Sequence, residues 1–216
     1  MSLPKALSRA EARSVYDAFG ARQDDQGWYE DAAFDALIRH GGFDDARQVV
    51  ELGCGTGKLA ARLLAEVLPL NARYLGLDLS ETMAVLAAER LKSWAGRAEV
   101  RLSDGGFALP PADRIVATYV LDLLSEAYIE AFLSAAAAAL APGGRLCLAN
   151  LAVAGLLNRL WAIAYRVAPR RLGGCRPVAL ADRLQRHGFT LDHSEVVQRR
   201  GLRSEGMVAV RAANVG

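Results

Sequence analysis

A short glycine-rich stretch is the part of this sequence whose spacing most clearly indicates chemistry. Gly53, Gly55 and Gly57 follow a run of apolar residues. Helix-forming residues begin at Lys58, and a second apolar run ends in an acidic residue, Asp78. Glycines let a ligand approach the bare backbone, N–H groups at a helix start face that ligand, and a carboxylate can accept hydrogen bonds from two ribose hydroxyls. The pattern predicts a pocket for a nucleoside-containing cofactor.

The spacing of the glycines distinguishes the cofactor classes that could use such a pocket. Dinucleotide oxidoreductases and methyltransferases both use a strand, a glycine turn and a later acidic residue. The dinucleotide pattern G-x-G-x-x-G needs a third glycine for close helix contact near the pyrophosphate, and Lys58 occupies that position. Lys58 therefore disfavours an NAD-type oxidoreductase. A phosphate-binding P-loop is excluded because no G-K-[ST] follows the turn.

The rest of the chain predicts a sheet that would hold this pocket. Short apolar runs at 48–52, 73–78, 99–103, 114–120 and 144–151 alternate with helical ones, which indicates parallel strands joined by right-handed helical crossovers. Apolar runs at 191–198 and 206–212 predict an antiparallel hairpin at one edge, and helical patterns at 8–19 and 30–39 predict an N-terminal extension. The expected fold class is therefore α/β: a Rossmann-like, seven-stranded, mostly parallel sheet with a C-terminal antiparallel edge hairpin and an N-terminal helical extension.

No repeat or long linker divides the sequence, so residues 1–216 are expected to form a single domain. Within it, residues 1–47 would be a helical lid, with a polar hinge between its two helices. Residues 48–150 would be the cofactor-binding core. Residues 151–216 would supply a substrate-side segment and the edge hairpin.

Composition indicates an ordinary globular protein of a reducing compartment. The chain is 52% hydrophobic and its net charge is only +2, so neither disorder nor a nucleic-acid partner is expected. The cysteines, Cys54, Cys147 and Cys175, are odd in number and lack C-x-x-C spacing, which argues against a disulfide framework. Residues 1–5 lack the apolar run of a secretory signal, so a cytoplasmic location is expected.

Four motifs, in matching order over about residues 48–150, resemble those of the class I S-adenosylmethionine-dependent methyltransferases. Residues 49–57, Val-Val-Glu-Leu-Gly-Cys-Gly-Thr-Gly, resemble motif I of that family. Residues 74–80, Tyr-Leu-Gly-Leu-Asp-Leu-Ser, resemble the next strand and its ribose-binding acid. Residues 102–105, Leu-Ser-Asp-Gly, resemble the end of the third strand, and residues 140–146 resemble the L-x-P-G-G turn before the fifth. The branch related to quinone and phosphatidylethanolamine methyltransferases is the most similar.

This resemblance implies S-adenosyl-L-methionine as the cofactor and assigns roles to individual residues. Glu51 would bind N–H groups of the turn or the methionine ammonium, and Asp78 would accept both ribose hydroxyls. Asp104 would face the adenine amino group, with Ser103 beside it. Tyr119 would border the methyl-donor sulfur. The full implied set of cofactor-binding residues is Glu51, Gly53, Cys54, Gly55, Gly57, Asp78, Leu79, Ser103, Asp104 and Tyr119.

The implied reaction is an in-line displacement that asks little of protein side chains. Proximity and orientation can contribute about 7 to 11 kcal/mol in favourable cases. A general base is needed only for some acceptors, and the sequence does not identify it; the candidates are Tyr119, Asp122, Tyr16 and His40. No metal is expected, because the histidines lack metal-ligand spacing.

The acceptor is expected to be a small-molecule or lipid-like compound bound above the carboxyl ends of the strands. Residues 151–176 are unusually apolar and carry several arginines. Two interpretations stay open: a buried helix that lines the acceptor pocket, or a peripheral membrane contact that receives a lipid-like acceptor at an anionic surface. The basic residues of this segment are Arg159, Arg166, Arg170, Arg171 and Arg176.

Two other functions remain possible on the sequence alone. One is the NAD-type oxidoreductase that Lys58 disfavours. The other is a non-catalytic nucleoside-binding module, because no indispensable catalytic side chain can be named. The sequence predicts neither the methylated atom nor the oligomeric state.

Overall fold

The computed structural model describes residues 6–172 and 174–212, and within them seven strands form one sheet. The strands are β1 Gln48–Leu52, β2 Arg73–Asp78, β3 Ala98–Leu102, β4 Ala112–Thr118, β5 Leu140–Leu151, β6 Phe189–Arg199 and β7 Leu202–Arg211. Their order in the sheet is β3, β2, β1, β4, β5, β7, β6. The first five are parallel, and β7 runs antiparallel to both β5 and β6. The predicted fold class is confirmed.

Helices cover both faces of this sheet. They are α1 Arg9–Phe19, α2 Gly27–His40, α3 Lys58–Glu66, α4 Glu81–Leu91, α5 Glu126–Ala139, α6 Leu156–Val167 and α7 Ala181–Arg186. The central strand β1 lies between β2 and β4, and Val49 and Val50 face opposite sides with no exposed surface. Burial on both faces explains why this strand is a continuous apolar run.

Local signals in the sequence account for several element ends. Ser8 caps α1 in a capping box with Glu11, and Ser80 caps α4 by accepting a hydrogen bond from the backbone N–H of Met83. The fourth strand ends at Thr118, two residues earlier than expected, because Tyr119 takes a left-handed backbone conformation with φ of 55°.

The N-terminal segment differs from expectation at its centre. Residues Gly20–Gln26, expected to be a polar hinge, form a 3-10 helix that leads directly into α2. α2 packs closely over β7, where a Cβ on Gly206 would lie 3.4 Å from the Ala36 side chain. The interpretation of residues 1–5 as lacking a signal sequence lies outside the described residues.

Helix α6 is not the buried helix that its apolar composition suggested. Among its residues only Asn158 and Tyr165 are buried. Five of its apolar side chains are exposed, namely Leu156, Leu157, Leu160, Ile163 and Val167. Arg176, which seemed to extend the basic surface, is buried and donates hydrogen bonds to the carbonyls of Asp122 and Leu124. In the described part of the chain, no helix has the length and apolarity needed to cross a membrane.

Candidate functional site

A cavity lies where the parallel strands β1, β2 and β4 end, with α1 and α2 on its other side. Its volume is about 180 Å³, and it opens to solvent. Eight of the ten residues implied as cofactor-binding line it: Glu51, Gly53, Cys54, Gly55, Asp78, Leu79, Ser103 and Tyr119. Tyr16, a candidate base, lines it as well.

The three glycines of the turn after β1 have different structural roles. All have positive φ, 69° at Gly53, 54° at Gly55 and 75° at Gly57. A Cβ on Gly53 would lie 2.2 Å from a methyl carbon of Val120, and one on Gly57 would lie 3.2 Å from Ala87 on α4. Both of these glycines therefore permit close packing inside the protein. Gly55 has no atom within 4 Å of its Cβ position, so its open side is the one available to a ligand.

Asp78, at the end of β2, is tied to this turn. One carboxylate oxygen accepts a hydrogen bond from the backbone N–H of Gly55 at 2.8 Å, and the other accepts from the N–H of Ser80 at 2.9 Å. Burial raises the pKa of Asp78, although these backbone hydrogen bonds oppose the shift. Each oxygen of a carboxylate can accept a second hydrogen bond. Asp78 thus keeps capacity for two further donors, and its contact with the ribose hydroxyls stays a prediction.

Glu51 is buried at the end of β1 and faces the cavity. It accepts a hydrogen bond from the Tyr74 hydroxyl at 2.7 Å. The turn N–H groups of Gly53 and Cys54 donate to the carbonyl of Leu77, which corrects the expectation that Glu51 would bind them. Burial raises the pKa of Glu51 to about 8, against the hydrogen bond from Tyr74. An ammonium group would stabilise this carboxylate, so of its two predicted partners the methionine ammonium remains.

Two implied cofactor residues do not line the cavity. Gly57 packs against α4, as described above. Asp104 is exposed, and its carboxylate accepts a hydrogen bond from the backbone N–H of Gly106 at 2.7 Å within its own turn. Ser103, Gly105 and Phe107 are the members of this segment that face the cavity. A contact between Asp104 and the adenine amino group is thus not prepared in this arrangement and stays a prediction.

The four candidate bases differ in their burial and in whether they line the cavity. The Tyr119 hydroxyl donates a hydrogen bond to Ser204 Oγ at 2.8 Å, and burial raises its pKa well above the usual value. Asp122 is completely buried and does not line the cavity; burial raises its pKa to about 7. Tyr16 faces the cavity with its hydroxyl 3.9 Å from Cys175 Sγ, and burial raises its pKa well above the usual value too. His40 lies outside the lining.

Sequence reasoning missed a buried acid on the lid side of the cavity, Glu30 in α2. Its side chain lines the cavity and accepts a hydrogen bond from the Gln23 amide at 3.2 Å. Burial raises the pKa of Glu30 to about 8, and the nearby Lys58 ammonium opposes the shift. Glu30 shares a helix face with Phe34 and Leu37, and an acid on an apolar face was the signal that could have identified it.

Sequence reasoning also missed three aspartates that connect the N-terminal segment to the cofactor motifs. They recur every seven residues. Each forms a hydrogen bond or ion pair with a residue close to the glycine turn or to the end of β2. The pairs are Asp17 with Ser80 Oγ at 2.5 Å, Asp24 with Thr56 Oγ1 at 2.6 Å and Asp31 with Lys58 Nζ at 2.5 Å. Lys58, which argued against a dinucleotide, therefore has a structural partner on α2.

The residues present fit S-adenosylmethionine. Gly55 offers open backbone, Asp78 has unused acceptor capacity, and Glu51 is a carboxyl suited to an ammonium. In addition, the buried amide oxygen of Gln23 has no hydrogen-bond partner among the described residues, so a bound ligand could donate to it. Cys54 lines the cavity as a neutral thiol, since burial raises its pKa well above the usual value.

Comparison with known proteins agrees with this geometry. Residues 50–146 match a family model described as a methyltransferase domain, whereas no curated protein matches the sequence significantly. Similar solved structures include the cyclase SpnF, with a TM-score of 0.76 and 15% identity over 99% of this chain and 100% of that one. Another is magnesium protoporphyrin IX methyltransferase from Synechocystis PCC 6803 with bound SAM, with a TM-score of 0.67 and 18% identity over 96% of this chain and 99% of that one.

An O-methyltransferase family protein from Burkholderia thailandensis is also similar, with a TM-score of 0.71 and 19% identity over 86% of this chain. The match covers 57% of that longer protein. At such identities the solved structures establish the shared fold, and the family model adds the type of domain. None of them bears on the quinone and phosphatidylethanolamine branch, which stays a prediction. Over residues 50–146 the chain is therefore similar to a methyltransferase domain, in agreement with the motifs that resemble class I S-adenosylmethionine-dependent methyltransferases.

Proposed function

We propose that this protein transfers the methyl group of S-adenosylmethionine to a small, largely apolar acceptor that binds beneath α1 and α2. The proposal rests on the part of the cavity lining that lies outside the glycine turn. It is built from aromatic and aliphatic side chains of the lid and of the strand ends: Leu7, Tyr16, Phe34, Phe107, Leu123 and Leu124. Such a wall suits an apolar ring or chain better than a charged polymer.

When bound, the cofactor supplies an electrophilic methyl group on a sulfonium. Gly55, Asp78 and Glu51 would hold and orient it, and the lid helices would exclude water from the reacting groups. An acceptor with an O–H or C–H group must lose a proton. Two carboxyls line the lid side of the cavity, Asp24 and Glu30, and Asp24 is already bonded to Thr56 and Arg90. We assign the role of proton acceptor to the Glu30 carboxylate. With a pKa of about 8, the proton-accepting carboxylate form of Glu30 becomes more populated as the pH rises above neutral.

The similar structures support a small acceptor without identifying it. Magnesium protoporphyrin IX methyltransferase, which shares the fold, is named for a small-molecule substrate. The cyclase SpnF shares the fold as well, so this architecture also occurs in a protein named for another reaction. Turnover of the methyl donor therefore has to be measured directly.

The decisive experiment is transfer of a labelled methyl group from S-adenosylmethionine into fractionated small-molecule and lipid extracts. We expect label in an apolar fraction together with formation of S-adenosylhomocysteine. Asp78→Ala is the control, and it should lose both donor binding and label transfer. Donor binding without any turnover would instead identify a nucleoside-binding module, and tighter binding of NAD than of the methyl donor would point to an oxidoreductase.

The exposed face of α6 supports a second candidate, a lipid-like acceptor taken from an anionic membrane surface. Leu160 and Ile163 are more than half exposed, and Arg159 and Arg166 are exposed on the same helix. Apolar side chains flanked by arginines bind anionic interfaces. The protein would then be cytoplasmic with reversible membrane contact. Flotation with anionic liposomes tests this: binding should fall with salt and with Ile163→Asp, and absence of binding would reject it.

A further inference from the structure

We infer that His40, His193 and Glu195 form a binding site for a divalent ion of the zinc type, away from the cavity. The Nε2 atoms of His193 and His40 lie 3.7 Å and 3.9 Å from the same oxygen, Glu195 Oε2. One ligand atom from each residue can be chosen so that all three lie within 4.8 Å of one another. None of the three residues lines the cavity. The inference therefore does not depend on the proposed function.

The ligand types and separations suit a zinc-type ion. Zn²⁺ binds imidazole nitrogen at about 2.0 to 2.1 Å and carboxylate oxygen at about 2.0 to 2.2 Å, in tetrahedral geometry. Those bond lengths place neighbouring ligand atoms roughly 3.4 Å apart. Both nitrogen-to-oxygen separations exceed this by about half an ångström or less. The two rings are stacked, with centroids 3.6 Å and planes 18° apart, so at least one ring must rotate out of the stack for both nitrogen lone pairs to face one ion.

A local irregularity in β6 turns its side chains toward α2. The pairing of β6 with β7 shifts register between Leu191 and His193, and bulges of this kind re-aim side chains. After the shift, His193 and Glu195 occupy alternate positions and so share one face of the strand. That face meets the C-terminal end of α2, whose last residue is His40. The extra residue, Asp192, points elsewhere and pairs with Arg145 at 2.9 Å.

His193 has a ring nitrogen that is available to a ligand. Its Nε2 atom is buried and has no hydrogen-bond partner within the residues that the structure covers. Buried polar atoms without partners are uncommon, and a metal ion would satisfy this one. Arg39 competes for the site, since its guanidinium lies 2.9 Å from the same Glu195 oxygen. Arg39 is 55% exposed, and a pair of this kind contributes at most about 1 kcal/mol, so an ion can displace it.

A metal here would join the end of α2 to the edge of the sheet. α2 also carries Glu30 and Phe34 into the cavity wall. The ion would therefore stabilise the position of the lid helix from its far end. With three protein ligands, a fourth position would remain for water.

The test is Zn²⁺ binding to the full-length, untagged protein, measured by competition with a chromophoric chelator and by thermal melting. We expect one equivalent of Zn²⁺ per chain and a higher melting temperature with Zn²⁺. His40→Ala and His193→Ala should each weaken binding by at least the roughly 10- to 100-fold that loss of an outer-shell partner costs. Glu195→Gln, at a half-exposed position, should weaken it in the same direction.

His187→Ala is the matched control, because the chain contains only three histidines. His187 is not part of this cluster and is bonded to Glu130 at 2.7 Å, so its removal should leave Zn²⁺ binding unchanged. Circular dichroism and binding of S-adenosylhomocysteine verify that each variant is folded. The inference is overturned if the wild-type protein binds no Zn²⁺, or if the His40 and His193 variants, once shown to be folded, bind it as tightly as the wild type.

Discussion

Replacement of Asp24 by Asn should loosen the lid and weaken cofactor binding. Asp24 lies in the 3-10 segment between α1 and α2, accepts a hydrogen bond from Thr56 in the glycine turn, and pairs with Arg90 of α4 at 2.5 Å. Burial would raise the pKa of Asp24, but the hydrogen bonds from Arg90 and Thr56 outweigh it and hold the pKa below its usual value. The carboxylate is therefore ionised at neutral pH, and these contacts weaken only under acid conditions.

The magnitude follows from the exposure of this pair. Hydrogen bonds to charged groups contribute about 1.5 to 3 kcal/mol when buried. Asp24 and Arg90 are each about one third exposed, so solvent screening lowers the expected loss to about 1 to 2 kcal/mol. Because 1.4 kcal/mol corresponds to tenfold, the Kd for S-adenosylhomocysteine should rise about 5- to 30-fold if closure of the lid retains the ligand. Faster dissociation should account for most of the change.

Asp35→Asn provides the matched control. It removes the same charge from the same segment, but Asp35 pairs with Arg62 at 2.9 Å and is half exposed, so the change should stay below about 1 kcal/mol. Titration calorimetry gives the two Kd values, and stopped-flow displacement gives the dissociation rates. Equal Kd values for Asp24→Asn and Asp35→Asn would refute a lid held closed by Asp24. A chain that lacks the residues before position 30 but binds normally would refute the lid altogether.

Three further predictions concern the site itself. The pKa of Glu51 rises from 4.5 to about 8 on folding, so ionisation of Glu51 lowers the free energy of unfolding increasingly between those pH values and by a constant amount above them. Glu51→Gln should therefore raise the melting temperature at pH 9 but not at pH 4, and it should weaken donor binding. Equal shifts of the melting temperature at both pH values would contradict this. Gly55→Ala should reduce donor affinity and lower the free energy of unfolding by about 1 to 2 kcal/mol. Gly53→Ala should lose more stability in urea melts, because its Cβ would collide with a neighbouring side chain. A larger loss of stability in Gly55→Ala than in Gly53→Ala would contradict the roles given to the two glycines. Tyr119→Phe removes the hydrogen bond to Ser204 and should cost about 0.5 to 1.5 kcal/mol of unfolding free energy, yet retain methyl transfer; a folded but inactive variant would restore Tyr119 as the base.

The most local features were predictable to the residue. The predicted limits of β1 and β2 agree with the structure, because each is a short apolar run next to a glycine turn or a carboxylate. The end of β4 was not predictable, since nothing in Thr118-Tyr119-Val120 signals the left-handed conformation of Tyr119. That conformation is maintained by burial and by contacts to β5 and β7, which local sequence does not encode.

The candidate site residues show the same distinction between features set by local sequence and features set by packing. The position of Asp78 in the cavity lining was predictable, because a residue at the end of the strand next to β1 lies beside the glycine turn. Asp104 was placed in the site by the family resemblance, yet its carboxylate accepts a hydrogen bond from the Gly106 N–H within its own turn and lies outside the cavity lining. Glu30 was missed because its value as a site residue depends on which face of α2 covers the cavity.

By itself, the sequence determined the α/β fold, because apolar alternation and caps act through neighbouring residues, and the resemblance of its motifs to a known family implied the cofactor class. The tertiary structure alone decided which side chains share the cavity, that the apolar face of α6 is exposed, and that His40 meets His193. Those outcomes depend on how helices and hairpin pack across the sheet, and packing joins residues that are far apart in the chain.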